Sequence, residues 1–105
     1  MGQAPAFERG EDIAARQCSA CHAVTLTDTS TDPRAPHLRD LYKRYAIEDL
    51  RRAFLNGVHI GDPDMPTFRL SPDEVEALLT YLRTLNPCTQ PASDAEAMKR
   101  CFAPL

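Results

Sequence analysis

Lysine is scarce in this chain of 105 residues: of its twelve basic residues only Lys43 and Lys99 are lysines, so a lysine-rich docking ring is excluded. Positive charge is not in excess either. The formal net charge is −3, whereas a nucleic-acid binder needs a basic face to neutralise phosphates, so that class of partner is set aside. No apolar run approaches the roughly 20 residues that cross a bilayer. Internal repeats and low-complexity tracts are lacking, and the length leaves no room for a second core.

What is present reads as one globular domain, with 43% hydrophobic and 26% charged residues. Its organising stretch is Cys18-Ser19-Ala20-Cys21-His22. Two thiols two residues apart with an imidazole directly behind them form the CxxCH pattern of covalent c-type haem attachment. Cys18 and Cys21 can add to two vinyl groups on one edge of a porphyrin while His22 turns into its face and ligates iron. A bare CxxC also occurs in zinc sites and dithiol redox centres. The adjacent histidine narrows the choice, and the other cysteines, Cys88 and Cys101, lie apart with no His or further Cys near either to complete a zinc site. A planar apolar cofactor would supply much of the interior that so short a chain lacks, so the apo protein is expected to fold poorly.

Phe7 to Gln17 is rich in helix formers, with acidic residues in its first turns, and reads as the helix that delivers the motif. Gly10 interrupts it at a cost of roughly 1 kcal/mol, tolerable where another helix backbone must pass close by. Ala23 to Arg34 is dense in Thr, Ser and Asp and predicts a solvent-facing loop. A short helix carrying Leu38, Leu41, Tyr42 and Tyr45 follows. Ile47 to Asn56 predicts a second helix with Leu50 and Phe54, and Ile47 as a further candidate, on its buried face, ending at Gly57.

Gly57 to Leu70, with two glycines and two prolines, is irregular backbone. Ser71-Pro72-Asp73-Glu74 then combines an N-cap, a proline at the first helical position and a capping-box glutamate. Val75, Leu78, Leu79, Leu82 and Leu85 give one apolar stripe, and Asn86-Pro87 stops it. Ser93-Asp94-Ala95-Glu96 repeats the start signal for a last short helix to about Arg100. Cys88 and Cys101 would then face each other, as a disulfide or as two free thiols.

A haem iron held by His22 has one further face. Candidate donors are Met65, His59, His37, Met98 and Met1. Met65 is preferred because Pro63 and Pro66 stiffen its loop and a thioether is a soft, neutral ligand that helps hold iron at a raised potential. His59 is the runner-up and would give a bis-His centre of lower potential. Plain core filling is the alternative role for Met65.

In sequence order, Gly10 eight residues before the first cysteine, CxxCH at 18–22, Pro36-x-Leu38, Met65-Pro66-x-Phe68 and LSPDEVEALLTYLRTL resemble the class I (mitochondrial-type) c-type cytochromes, more closely the small bacterial members. The likeness covers residues 7 to 86. It implies an all-α cytochrome c fold with helices wrapped around one covalently bound haem c and its iron. By the same resemblance Cys18 and Cys21 are the thioether sites, His22 the proximal ligand and Met65 the distal ligand. Pro36 matches the proline whose carbonyl accepts a hydrogen bond from the other nitrogen of that histidine. Leu38 matches an aliphatic residue packed on the haem, and Arg44 an arginine near a propionate. Gly10 and Tyr81 match the crossing of the first and last core helices. The chain departs from the family in having no tryptophan, which removes the indole partner of a propionate, and in placing Asp40 and Lys43 where glycine is usual.

The expected organisation is a flexible start at 1–6, the haem domain at 7–86 and an extension at 87–105. That extension is either a disulfide-stapled brace or a contact surface for a partner subunit. The leading functional expectation is a monohaem electron carrier between redox proteins, a dehydrogenase, oxidase or reductase, without catalytic residues of its own. Competing expectations are the haem domain or subunit of a larger dehydrogenase or oxidase, and a haem sensor or peroxidase with a labile Met65. Arg34, Arg39, Arg44, Arg51, Arg52 and Arg69 offer either a local basic rim or solvated helix faces. Covalent haem and paired cysteines imply an oxidising compartment, the bacterial periplasm. On that reading Met1-Gly2 is an artificial start or a trimmed mature end, after loss of a leader or membrane tether.

Overall fold

A computed structural model describes residues 5–61 and 63–103 of the chain. Among these, α1 (Ala6–Gln17), α2 (Ile47–Asn56), α3 (Pro72–Leu85) and α4 (Ala95–Cys101) are joined by loops and by two 3-10 segments, Leu38–Lys43 and Pro87–Thr89. The described residues contain no strand, as the all-α expectation requires. No helix among them is long and apolar enough to cross a membrane.

The best-determined start belongs to α3. The Glu74 N–H donates to Ser71 Oγ at 3.2 Å, and the Ser71 N–H donates back to the Glu74 carboxylate at 2.9 Å. Two of the orphan donors of a helix start are satisfied this way. The stripe from Val75 to Leu85 is buried, and Ala77 and Tyr81 are buried beside it because α1 packs on that side. Gly10 of α1 lies against Ala77 and Tyr81, so the first and last core helices cross there. Tyr81 also donates its hydroxyl to the Val24 carbonyl at 2.5 Å, tying α3 to the loop behind the haem motif.

On the other side of the core, α2 buries Leu50, Ala53 and Phe54. Gly57 ends α2 with φ +69°, a left-handed conformation that glycine adopts without a Cβ penalty. The Leu70 N–H donates to the Phe54 carbonyl at 2.8 Å, which draws the irregular 57–70 segment back across α2.

Three local expectations change. The short helix after Pro36 is a 3-10 segment, and Asp40 and Lys43 sit inside it as an ion pair at 3.9 Å. Right-handed backbone there has no need of the family's glycine: among the described residues only Gly57 and Gly61 have positive φ. The cap of α4 is Asp94 rather than Ser93. Its carboxylate accepts from the Ala97 N–H at 3.0 Å, after a turn in which the Asp94 N–H donates to the Pro91 carbonyl. Finally, α1 begins at Ala6, behind Pro5 and without a side-chain cap.

Cys88 and Cys101 are joined in a disulfide, with Cα atoms 5.0 Å apart. The extension is also tied to the 3-10 segment Leu38–Lys43, because Tyr42 donates its hydroxyl to the Arg100 carbonyl at 3.0 Å. Ala97 of α4 is fully buried, and α4 packs on the 3-10 segment Pro87–Thr89.

Candidate haem site

The motif leaves α1 through backbone hydrogen bonds that fix its turn. The Cys18 N–H donates to Ala14, and the N–H groups of both Cys21 and His22 donate to the Cys18 carbonyl, at 3.2 and 2.9 Å. The loop behind it is held by its own polar side chains. Asp28 accepts from the N–H groups of Val24 and Thr25 and from the Thr25 hydroxyl, and these bonds, the hydroxyl's foremost, hold its carboxyl down at about 2. Ser30 Oγ accepts from the Ala23 N–H, and the Asp32 N–H donates to the Cys21 carbonyl. A loop of Thr, Ser and Asp is thereby a rigid frame for the histidine.

His22 Nδ1 lies 2.7 Å from the Pro36 carbonyl oxygen. A carbonyl only accepts, so Nδ1 carries the proton and donates. In a neutral imidazole the other nitrogen, Nε2, then holds the free lone pair, the form that binds a metal. The Leu38 N–H donates to the Ala23 carbonyl at 2.9 Å and pins the Pro36 segment beside the motif.

These groups border an open cleft with about 1090 Å³ of space free of atoms, mouth included. All seven residues picked out by the sequence, Cys18, Cys21, His22, Pro36, Leu38, Arg44 and Met65, border it. Sequence reasoning did not assign Tyr45, Ile60 or Phe68 to it, and Leu41, Leu50 and Phe54 were legible only as core positions. The walls are therefore mostly aliphatic and aromatic, with Arg44 at an exposed position, Arg34 beside Asp32 and Asp64, and a single oriented imidazole. That is the environment a porphyrin needs: apolar faces, a cationic group for its carboxylates and a nitrogen donor. Neither thiol of the motif is engaged in a disulfide, so both are available for thioether attachment.

Of the candidate second donors, Met65 borders the cleft and is half-buried, with its Sδ 3.9 Å from where a Cβ on Gly61 would lie. His37, His59 and Met98 do not border it, and Met1 lies outside the described residues. His37 Nδ1 is instead 3.3 Å from the Asp40 carboxylate. Among the described residues no three His, Cys, Asp or Glu side chains gather as a cation site, so nothing completes the zinc alternative.

The basic rim does not form as one surface. Arg39 turns inward, its side chain 19% exposed, and donates to the carbonyls of Thr25 and Asp28. Arg51 joins α2 to α3 through two bonds to Glu76, at 2.8 and 3.1 Å, and also binds Glu48. Arg52 binds Asp49, and Arg69 donates to the Asn56 carbonyl. Arg39, Arg51 and Arg69 thus fasten separate segments together, whereas Arg52 pairs within α2.

No curated protein and no solved structure matches the chain. The family model for cytochrome c does match it, over residues 7–86. That match spans the thiol pair, the oriented histidine and the apolar cleft, and with them in place the chain belongs to the cytochrome c family as a small class I c-type cytochrome, built for haem-based electron transfer and carrying covalently bound haem c with its iron.

Proposed function

We propose that this cytochrome is a single-electron carrier rather than an enzyme. It shuttles between redox proteins of the bacterial periplasm, a dehydrogenase, oxidase or reductase. The observation that carries this reading is that His22, already oriented by Pro36, and Met65 border one apolar cleft. His22 and Met65 would hold the iron. Haem supplies the redox couple, Fe(III)/Fe(II), and the chain's own residues set its surroundings.

His22 keeps its Nδ1 proton on the Pro36 carbonyl and presents the Nε2 lone pair to the metal. Met65 offers a neutral sulfur, which favours a raised potential. Two donors that stay in place, His22 and Met65, would keep reorganisation small between the two oxidation states. Leu38, Leu41 and Phe54 exclude water from the faces, and Arg44 at the mouth offsets propionate charge. The exposed Ala20 and Cys21 would offer a partner the edge at which electrons are exchanged. The Cys88–Cys101 disulfide supports an oxidising compartment.

One observation favours a second reading, the haem subunit of a larger dehydrogenase or oxidase. Phe102, beyond the residues matched to the family, is 81% exposed. Co-purification from the source cells separates a subunit from a free shuttle. Absorption spectra of the oxidised and reduced holoprotein test the carrier itself. A sulfur-to-iron charge-transfer band in the oxidised form, with no rapid carbon monoxide binding to the reduced form at neutral pH, is the expected result. Rapid binding would overturn it in favour of a sensor or peroxidase with a labile Met65.

A further inference from the structure

We propose that Arg34 is a positioning residue for Met65, forming an ion-pair strap across the mouth of the haem cleft that keeps the Met65 loop closed on the iron. The inference rests on the assignment of Met65 as the distal ligand made above. Arg34 lies between the haem motif and Pro36, on the His22 side of the site. Its Nη1 donates to Asp64 Oδ2 at 3.0 Å, thirty residues further along and directly before Met65.

The His22 end of the strap is fixed before it reaches Asp64. Arg34 also donates to the Asp32 carboxylate, through Nη2 at 3.2 Å, Nε at 3.4 Å and its backbone N–H at 2.9 Å. Asp32 in turn donates its N–H to the Cys21 carbonyl at 3.1 Å, and its own carbonyl accepts from Ala35 at 3.0 Å. The guanidinium is thus oriented by the backbone of the haem motif, which lowers the entropy lost in holding Asp64.

The Met65 end is stiff as well. Pro63 has a fixed φ, and Pro66 confines Met65 to extended backbone. A tether at Asp64 is therefore passed to the Met65 side chain through few soft torsions. For Met65 to leave the iron its loop must swing out, and that movement breaks the Arg34–Asp64 pair. The side chains are 59% and 75% exposed, so the pair is solvated and its contribution is that of an exposed ion pair, equivalent to about two- to fivefold in an equilibrium.

The test is to titrate the ferric holoprotein with imidazole, a neutral ligand that reaches the iron only when Met65 leaves it, while following the sulfur-to-iron band. Its apparent affinity scales with the fraction of open loop. Arg34→Gln and Asp64→Asn are each expected to tighten imidazole binding about two- to fivefold. The double variant should do no more than Arg34→Gln alone, because that change already removes the contact with Asp64. Arg34→Lys, which keeps the charge, should fall between the wild type and Arg34→Gln. High salt should bring the wild type toward the variants. Titrations that superimpose on the wild type, or single effects that add in the double variant, would overturn the strap. Absence of the band from the wild type would instead remove the Met65 assignment, so the two failures are told apart.

Discussion

Gly10 and Ala77 approach so closely that a Cβ built on Gly10 would stand 2.0 Å from the Ala77 carbonyl oxygen and 2.7 Å from its carbon. The atoms it meets are backbone, so they cannot rotate away, and the α1–α3 crossing would have to open. Gly10→Ala gains about 1 kcal/mol of helix propensity but incurs overpacking at the upper end of a range of about 1–3 kcal/mol. The expected result is a net loss of about 2 kcal/mol, measured by urea unfolding of the holoprotein.

The Tyr42–Arg100 hydrogen bond and the Cys88–Cys101 disulfide hold the same helix, α4, from two sides. Tyr42→Phe is expected to cost about 1 kcal/mol. Replacing both Cys88 and Cys101 by serine is expected to cost about 3 kcal/mol through the freed chain. Neither change touches the haem motif. Thermal unfolding followed by the haem absorption should show earlier melting with an unchanged native spectrum.

Legibility in the sequence followed the distance over which each signal acts. The start of α3 is written in four consecutive residues, Ser71 to Glu74, and the end of α2 in one glycine, so both were readable. The α4 cap was not, because Ser93 and Asp94 are adjacent acceptors and only the Pro91 turn selects the second. Attachment chemistry sits within five residues and could be read, whereas the aromatic walls come from Tyr45, Phe54 and Phe68 on separate segments. Arg39 looked like one more surface cation. Its inward turn depends on the carbonyls of Thr25 and Asp28, whose direction only the folded loop sets.

Asp28 makes part of the stability dependent on acid. Its carboxyl titrates at about 2 in the folded chain against an ordinary 3.8, because the Thr25 hydroxyl and the N–H of Val24 stabilise the ionised form. A lowered folded pKa means that the stabilisation is fully present above the unfolded value and is lost as pH falls through the folded one. The melting temperature of the holoprotein should therefore drop between about pH 4 and about pH 2. Asp28→Asn, which cannot ionise, should remove that share of the drop, and an unchanged acid slope in the variant would assign it to other carboxylates.

Met65 and His59 are six residues apart in the same irregular segment, yet only Met65 borders the cleft, while His59 is exposed. Loss of a sulfur ligand removes both its charge-transfer band and the preference that a soft neutral donor gives the reduced iron. Met65→Ala is thus expected to abolish the band and lower the reduction potential, and the vacated position should admit carbon monoxide to the reduced protein. His59→Ala is expected to leave the band and the potential nearly unchanged. Absorption spectra with redox titration of both variants decide it: a band that survives Met65→Ala but a potential that moves with His59→Ala would reassign the distal ligand to the histidine.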